Sequence, residues 1–422
     1  MSHVIKVLLK IIIRRNKGTI NREVGETQSG FREKMGTREG LLNFRLIVDK
    51  YQEVNKNICV CFIDYEKAFD RVYHQNLMEI LKAQEIDGKD LKLLQNLYWQ
   101  QMATIKLDET EESKEFPIQR GVRQGCVISP QLFNLYTEMI FRHADTLKGI
   151  NVGGRNITNL RFADDTALMA ENEEELQKIV DMVKEKSLML GLKMNVKKTK
   201  TMMIHREKSD ARPVLNIKVD GSTLEQVSKF VYLGQLITED GKCEEEIKRR
   251  IGMARTNFIN MRDVLASRKL TLNTRKRLIR CYILSTFLYA SETWSFSKES
   301  LQRIDAFEMW LFRRMLRISY EERRTNEDVM RMAHAHRALK KDIMKRKAEY
   351  FGHIIRKDKI QKMLIEGKVE GKRPRGRPRR GWTSDIKEWV GMSYPKCKTI
   401  AMDRKEWRRV TADLQVGEAT RR

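Results

Sequence analysis

Three aspartates that follow apolar segments constrain the fold more than any other feature of this 422-residue chain. Asp64 ends the apolar run Ile58–Ile63, and Asp164 and Asp165 close the peptide Phe-Ala-Asp-Asp at residues 162–165, a sequence typical of a strand-turn-strand. If the two strands are neighbours, their acids meet at one edge of a sheet. Such a site suits two Mg²⁺ ions roughly 3.5–4 Å apart, because hard cations prefer carboxylate oxygens. A simple polar Asp-Asp turn is the alternative.

Further motifs surround these acids in a fixed order. They are FIDYEKAFDRV at residues 62–72, GVRQGCVISP at 121–130, GLKMN and KTK at 191–200, and FVYLG at 230–234. Together with Phe-Ala-Asp-Asp they resemble motifs A to E of reverse transcriptases, specifically those of non-LTR, LINE-like retrotransposons. The resemblance implies an α+β fold: a right-hand polymerase palm with an antiparallel sheet and packed helices, truncated fingers, a helical thumb and a mostly helical basic C-terminal extension.

The resemblance also implies roles for individual residues. Asp64, Asp164 and Asp165 would be catalytic and hold two Mg²⁺ ions, with Mn²⁺ as an alternative metal. Phe69 would block a ribose 2′-hydroxyl, Gln124 and Gly125 would contact the incoming nucleotide and template, and Lys198 would neutralise the leaving pyrophosphate. The primer grip would contain Tyr232, Leu233 and Gly234.

Each of these positions has a structural alternative. Phe69 could be an ordinary core residue, and the loop around Gly125 could be a plain turn before a helix that Ser129 caps, with Pro130 in its first turn. Lys197 and Lys200 compete with Lys198 for the same role, and a lysine-rich surface strand would have the same composition.

The charge of the chain is concentrated in its C-terminal part. From residue 241 onward lie 46 of the 83 Lys and Arg residues but 23 of the 57 Asp and Glu residues. Such an excess indicates a polyanionic partner, because each neutralised phosphate releases counterions. The expected partners are an RNA template, a DNA primer or target, and deoxynucleoside triphosphates; whether a protein partner exists is open.

Two C-terminal segments have features of nucleic-acid binding. Aromatic and basic residues are mixed over residues 271–316, which favours a small helical core over stacking on unpaired bases. Near the end, Arg375, Gly376 and Arg377 form an Arg-Gly-Arg like that of an AT-hook, which enters a narrow A·T minor groove. A nuclear-import signal or a basic linker would use the same residues.

These features predict a division of the chain into five parts. They are partial fingers at residues 1–57, a palm at 58–240, a thumb helix region at 241–268, a helical post-thumb domain at 269–356 and a basic tail at 357–422. Within them we expect a helix over about 173–190, strands at 214–219 and 222–227 joined by an Asp-Gly hairpin turn, and a basic helix from Glu244.

Composition restricts the cellular setting. Six cysteines without paired spacing form neither a zinc pattern nor a disulfide framework, which favours a reducing, intracellular location, nuclear or cytoplasmic rather than secreted. The apolar run at residues 4–13 is too short to span a bilayer, so we expect a helix packed on the protein and no membrane association.

The predicted function is RNA-directed DNA synthesis, a nucleotidyl transfer in which a primer 3′-hydroxyl attacks the α-phosphate of a deoxynucleotide. The strands that clamp the triphosphate in the family would precede Met1, and no endonuclease domain is apparent. The sequence thus resembles the C-terminal part of an endonuclease and reverse transcriptase polyprotein. The alternative is a truncated, polymerase-inactive remnant that binds nucleic acid, and an adapter that works only through its basic helices is a third hypothesis.

Overall fold

The computed structural model of the chain describes residues 2–99, 101–106, 108, 113–205, 214–376, 379–412 and 414. The chain forms two compact units, one of Met1–Gly40 with Lys56–Ser228 and one of Leu41–Asn55 with Lys229–Arg422. These boundaries differ from the predicted five-part division, which stays a prediction. Among the described residues, no helix combines the length and apolar character needed to cross a membrane.

The first unit combines a central sheet with helices. Its helices are α1 (His3–Arg15), α2 (Lys17–Glu23), the start of α3 (Thr37–Glu53), α4 (His74–Ala83), α5 (Gly88–Trp99), α6 (Ser129–Ala144) and α7 (Glu173–Met189). Its strands are β1 (Ile58–Ile63), β2 (Met102–Ala103), β3 (Phe116–Pro117), β4 (Ile150–Val152), β5 (Arg155–Ile157), β6 (Asn159–Phe162), β7 (Asp165–Ala170), β8 (Lys200–Ile204), β9 (Lys218–Val219), β10 (Ser222–Thr223) and β11 (Glu225–Gln226). The predicted α+β class is confirmed.

The sheet has the strand order β11-β8-β1-β7-β6. Strand β1 is central and pairs antiparallel with both β7 and β8, and β6 and β7 form a hairpin. Every residue of β1 is buried, which explains why the strand is a continuous apolar run rather than an alternating one. Helix α7 packs against β1 and β7, so the sheet and this helix share one core.

The local predictions for this unit are largely confirmed. Helix α7 spans residues 173–189, and its first turn contains three glutamates beside the Asn172 side-chain cap. Asp220 and Gly221, both with positive φ, join β9 to β10, but these strands are shorter than predicted and β11 leaves the hairpin to pair parallel with β8. The predicted Ser129 cap is wrong. Helix α6 begins at Ser129 with Ile128 as its N-cap, and no side chain caps it.

Helix α1 matches the predicted N-terminal helix. It buries Leu9 and Ile12. Ile5 and Ile13 are partly buried against the same core, whereas Val4, Val7 and Ile11 are exposed. Only one side of this helix therefore packs on the described protein.

The second unit is mostly helical. It contains residues 41–53 of α3 and the hairpin β12 (Lys229–Tyr232) and β13 (Gln235–Thr238). Its helices are α8 (Glu244–Asn260), α9 (Arg262–Leu265), α10 (Leu272–Leu278), α11 (Leu284–Phe287), α12 (Lys298–Leu316), α13 (Asn326–Met332), α14 (Leu339–Ile355), α15 (Ile360–Glu366), α16 (Trp382–Val390), α17 (Tyr394–Met402) and α18 (Arg404–Ala412). Helix α8 is the basic helix predicted from Glu244, and Ile247, Ile251, Ala254 and Phe258 form its buried face.

Buried polar contacts tie α3 to the hairpin of this second unit. Arg45 is almost fully buried, and its guanidinium donates to Gln235 Oε1 at 3.2 Å and to the Leu236 carbonyl at 3.0 Å. The ring of Phe44 packs on Tyr232 with centroids 5.8 Å apart. Residues far apart in sequence thus form one packed body, which local sequence patterns do not reveal.

Candidate active site

The three predicted acids lie at one end of two paired strands. The last pair of the β1–β7 ladder is Ile63 with Thr166, and Asp64 and Asp165 are the next residues on the two sides of that pair. Asp164 lies in the two-residue turn between β6 and β7, where Phe162 pairs with Asp165. The structure therefore brings together all three acids that the sequence singled out.

The acids affect one another electrostatically. Partial desolvation, followed by the negative charges of Asp164 and Asp64, raises the pKa of Asp165 to about 6. The pKa of Asp164 is also raised, first by burial and then by the charge of Asp64. A cation held between these carboxylates would relieve the repulsion, which is the electrostatic condition that a metal site needs.

The donor set fits a divalent metal in chemical type. Hard divalent cations prefer carboxylate oxygens, and this strand end supplies three carboxylates. Across the described part of the chain, however, no group of three or more His, Cys, Asp or Glu side chains is arranged to hold a metal ion. The fit of these residues to a metal therefore rests on their carboxylate chemistry and on the neighbouring negative charges that raise the pKa values of Asp164 and Asp165.

The segment before α3 holds the turn that contains Asp164 in place. Gln28 is completely buried, and its Oε1 accepts hydrogen bonds from the Ala163 and Gly30 backbone N–H groups, at 3.0 and 2.8 Å. A Cβ added to Gly30 would lie only 2.4 Å from the Ala163 nitrogen, so this position requires glycine. The sequence assigned no role to Gln28.

Phe69 lies beside the loop that contains Gln124 and Gly125. The Val122 N–H donates to the Phe69 carbonyl, and Gln124 Nε2 donates to Asp70 Oδ1 at 3.3 Å. Gly125 has a φ of +77° and no atom near the position of an added Cβ, so glycine here serves the turn and leaves open space above it. The Phe69 ring stacks on Phe133. Phe69, Gln124 and Gly125, three of the residues predicted to contact the nucleotide, therefore lie in neighbouring segments.

The lysine-rich segment is bonded directly to the segment around Asp64. The Asn195 N–H donates to the Asp64 carbonyl at 2.8 Å, and the Asp64 N–H donates to Thr199 Oγ1 at 3.3 Å. Lys200 Nζ is engaged by Glu225 and the Lys197 carbonyl, each at 2.6 Å, whereas Lys198 is exposed. This pairing makes Lys200 the weaker competitor for the role predicted for Lys198.

Comparison with known proteins agrees with this geometry. The reverse transcriptase (RNA-dependent DNA polymerase) family matches residues 1–237, more than half of the chain. The chain belongs to the reverse transcriptase family. Within that family its relatives are proteins of retrotransposable elements, which confirms the predicted likeness to non-LTR, LINE-like reverse transcriptases.

Three relatives illustrate the range of similarity. An uncharacterized transposon-derived protein of Caenorhabditis elegans is 29% identical over 274 residues, which cover 61% of this chain and 96% of that protein. The RNA-directed DNA polymerase from mobile element jockey of Drosophila funebris is 26% identical, covering 74% of this chain and 34% of its own length. The Pol polyprotein from retrotransposable element R2 of Popillia japonica is 23% identical, covering 71% and 42%. The chain thus spans less than half of the length of these jockey and R2 proteins.

The residues predicted to form a primer grip lie in a tight hairpin of the second unit. Leu233 and Gly234 join β12 to β13, and both have positive φ, as a type I′ turn requires. Tyr289 Oη donates to the Leu233 carbonyl at 2.9 Å, and the Gly234 carbonyl accepts from Arg249 at 2.7 Å and also from Arg250. Tyr232 is buried. The turn is therefore fixed by packing and by its carbonyl partners.

The basic tail of the chain is anchored on both sides of the Arg-Gly-Arg segment. Arg373 pairs with Glu53 at 2.8 Å, and Arg380 pairs with Asp385 and Glu388, each at 2.7 Å. Arg375 and Gly376 are exposed between these contacts, and Arg377 lies outside the described residues. Arg373 and Arg380, which look like free DNA ligands in the sequence, thus form ion pairs within the second unit.

The aromatic residues of the post-thumb segment divide into two groups. Phe287 and Trp294 are fully buried and belong to one core with Phe258 and Phe307. Trp310 is only partly buried, although it packs on that core. The helical core favoured by the sequence is present, and Trp310 lies at its border with solvent.

Proposed function

We propose that this reverse transcriptase homologue is an RNA-directed DNA polymerase that extends a primer 3′-hydroxyl with deoxynucleotides. The observation that supports the proposal is the register of β1 and β7, because the ladder ends one residue before both Asp64 and Asp165, and Asp164 lies in the adjoining turn. The proposed partners are an RNA template, a DNA primer and deoxynucleoside triphosphates. The names of the jockey relatives, RNA-directed DNA polymerases, support the same reaction class.

Asp64 and Asp164, with Asp165 as third acid, would hold two Mg²⁺ ions, or Mn²⁺ as an alternative. When bound, such ions lower the pKa of the attacking hydroxyl and stabilise the charge of the departing phosphates. The chain itself positions the reactants. Proximity and orientation contribute strongly here, because a misplacement of about 1 Å can cost on the order of a hundredfold in rate.

The neighbouring residues have separate proposed tasks. Phe69 excludes the 2′-hydroxyl of a ribonucleotide, and Gln124 and Gly125 contact the nucleotide and template through the open space above Gly125. Lys198 places a cation near the leaving pyrophosphate. In the second unit, the turn at Leu233 and Gly234 holds the primer strand, and Arg375, Gly376 and Arg377 bind A·T-rich DNA.

The test is magnesium-dependent incorporation of labelled deoxynucleotide on poly(rA) primed with oligo(dT), with Asp164→Asn as the decisive variant. We expect the variant to lose incorporation, because it lacks the carboxylate charge that would hold the metal. It should keep its affinity for the primed template, because the change is confined to one residue of a turn. Asp181→Asn on α7, an exposed carboxylate outside the site, is the matched control and should retain activity.

Two outcomes would contradict the proposal. Full activity in Asp164→Asn would show that the acids do not carry the chemistry. No incorporation by the unaltered chain, with tight binding retained, would favour the polymerase-inactive, nucleic-acid-binding remnant. The tail is tested separately by Arg375→Ala with Arg377→Ala, which should weaken binding to A·T-rich duplex and reduce its salt dependence.

A further inference from the structure

The second unit has an open cavity of about 420 Å³ to which the motifs assign no function. It lies between the exposed side of α8, the middle of α12, the first residue of α13 and the loop before α14. Its polar and aromatic lining consists of Arg255, Asp305, Trp310, Arg313, Asn326 and Arg337. The volume lies within the range of small-molecule sites, roughly 300–1,000 Å³, and is sufficient for one nucleotide.

Trp310 gives the cavity a fixed aromatic surface. Its ring is held from the core side by Phe258, edge to face with centroids 5.4 Å apart, and by Phe307 at 6.3 Å. The Arg255 guanidinium lies over the same ring, with Cζ 5.1 Å from its centroid. Indole and guanidinium planes both stack on nucleobases, so this pair forms a platform that a base can join.

The charged groups around this platform suit a phosphate. The cavity is lined by three arginines, Arg255, Arg313 and Arg337, and by one acid, Asp305. The Arg313 guanidinium donates to the Arg324 carbonyl at 3.0 Å and to Asn326 Oδ1 at 2.9 Å, which holds it in place. Arg255 and Arg337 are exposed, and neither forms an ion pair with any residue that the structure describes. Arginine is well suited to this task because its planar fork matches phosphate oxygens.

The combination identifies the class of ligand. A ligand that consists of phosphate alone has no ring to stack on the indole of Trp310. In a duplex the bases are stacked inside the double helix, so they cannot enter a cavity on the protein surface. An unpaired nucleotide offers both a free base plane and a phosphate. We infer that the cavity around Trp310 binds one unpaired nucleotide of a single-stranded nucleic acid, outside the polymerase site. The inference rests on the proposed function only for the expectation that the partner is a nucleic acid.

The test compares two fluorescent oligonucleotides of equal length, about twelve units each: oligo(dT) and its abasic counterpart, which keeps the phosphates and lacks the bases. The full chain should prefer oligo(dT), and Trp310→Leu should remove that preference, lowering affinity for oligo(dT) by about fivefold or more with little change for the abasic strand. Leucine keeps an apolar contact with Phe258, and a thermal melt checks that the unit still folds.

The arginines are tested by Arg255→Gln with Arg337→Gln. This double variant should bind both strands more weakly and reduce the slope of log affinity against log salt by about 0.7 to 1.4, as expected for one or two lost phosphate contacts on a single strand. The control is Arg303→Gln with Arg331→Gln, which removes the same charge from exposed sites on α12 and α13 outside the cavity. It should change the slope much less.

Three outcomes would overturn the inference: equal binding of both strands by the unaltered chain, an equal loss in the control, or Trp310-dependent binding of polyglutamate, which would indicate an acidic peptide instead. Failure of the proposed function is distinguishable. A chain without incorporation activity can still show the base preference, and Trp310→Leu can keep incorporation on a short primed template while losing that preference.

Discussion

Gln28 brackets the backbone of Ala163: its Oε1 accepts from the Ala163 N–H at 3.0 Å, and its Nε2 donates to the Ala163 carbonyl at 3.3 Å. Ala163 has a φ of +58°, a conformation that costs free energy in any residue with a side chain. The amide of Gln28 therefore stabilises the strained turn in which Asp164 lies, between β6 and β7.

We expect Gln28→Leu to lower kcat for nucleotide incorporation by about tenfold to a hundredfold, because the turn loses its bracket and the acids shift by a fraction of an ångström. The KM for deoxynucleotide should change little. Steady-state kinetics on primed poly(rA) measure both, with Gln75→Leu on the exposed side of α4 as control. Unchanged kcat in a folded Gln28→Leu protein would exclude this positioning role.

Phe69 stacks on the fully buried Phe133, with ring centroids 4.2 Å apart and an interplanar angle of 15°. This contact fixes the ring that we propose excludes a ribose 2′-hydroxyl. Phe69→Val should raise incorporation of ribonucleotide relative to deoxynucleotide by about tenfold or more, equivalent to roughly 1.4 kcal/mol. Competition between the two triphosphates on one primed template gives this ratio. The ordinary-core alternative predicts lower stability without any change in the ratio.

Lys198 and Lys200 provide a matched pair on one short segment. Lys200 bonds Glu225 and the Lys197 carbonyl, whereas Lys198 is exposed. Lys198→Ala should lower kcat several-fold with a melting temperature close to that of the unaltered chain. Lys200→Ala should lower the melting temperature slightly, since an exposed ion pair contributes about 0–1 kcal/mol, and leave kcat nearly unchanged. The reverse pattern would assign the pyrophosphate role to Lys200.

The sequence predicted those parts of the site that depend on local patterns. The apolar run ending at Asp64 and the turn at Asp164 predict two strands with acids at their ends. That these two strands pair was only a condition of the prediction, and the β1–β7 ladder meets it. The same holds for α7, whose glutamates and apolar spacing are local signals. The turn at Leu233 and Gly234 is recognisable only through its resemblance to motif E.

Long-range polar contacts were not predictable in the same way. Arg45, Glu246 and Lys347 are buried, yet in the sequence they look like surface residues of amphipathic helices. Arg45 bonds Gln235 and Lys347 bonds Asp385, and in both pairs the partners lie far apart along the chain. No local spacing encodes such pairs, so the sequence does not reveal that residues 41–55 pack in the second unit.

We expect Glu308 to make the stability of the second unit depend on pH. Its Oε1 accepts from the N–H groups of Ala338 and Leu339, both at 2.9 Å, while its Oε2 is buried without a hydrogen-bond partner in the described structure. Burial raises the pKa of Glu308 above its usual range, and the two backbone bonds only partly oppose this effect. The folded state therefore holds the Glu308 proton more tightly than the unfolded state.

The sign of the effect follows from proton linkage. Below the unfolded pKa both states are protonated and burial of this carboxyl carries no charge penalty; as pH rises through the folded pKa, the penalty develops and stability falls. Glu308→Gln keeps an oxygen for the two backbone donors and cannot ionise. Above the folded pKa of Glu308, the melting temperature of this variant should exceed that of the unaltered chain. Below the unfolded pKa, the difference between the two melting temperatures should vanish. A constant difference from pH 4 to pH 8 would contradict the assignment.

Lys347 and Asp385 form a fully buried ion pair in the second unit, with Nζ and Oδ2 2.5 Å apart. Lys347 also donates to the Trp294 carbonyl at 2.6 Å, and Asp385 Oδ1 accepts from Arg380 at 2.7 Å. The pair joins α14 to α16. Removing one partner leaves the other charge buried with fewer contacts, which typically costs about 3–5 kcal/mol.

Lys347→Met should therefore lower the melting temperature of the full chain by roughly 6–12 °C, the shift expected for about 3 kcal/mol in a unit of this size. Lys347→Met combined with Asp385→Leu should cost less than the sum of the two single changes, because no unpaired charge remains. Arg303→Gln, which breaks an exposed pair with Glu299, should shift the melting temperature by no more than about 2–4 °C. Additive effects of the two buried changes would show that Arg380 alone neutralises Asp385, and that Lys347 contributes only packing against the rings of Trp382 and Phe296.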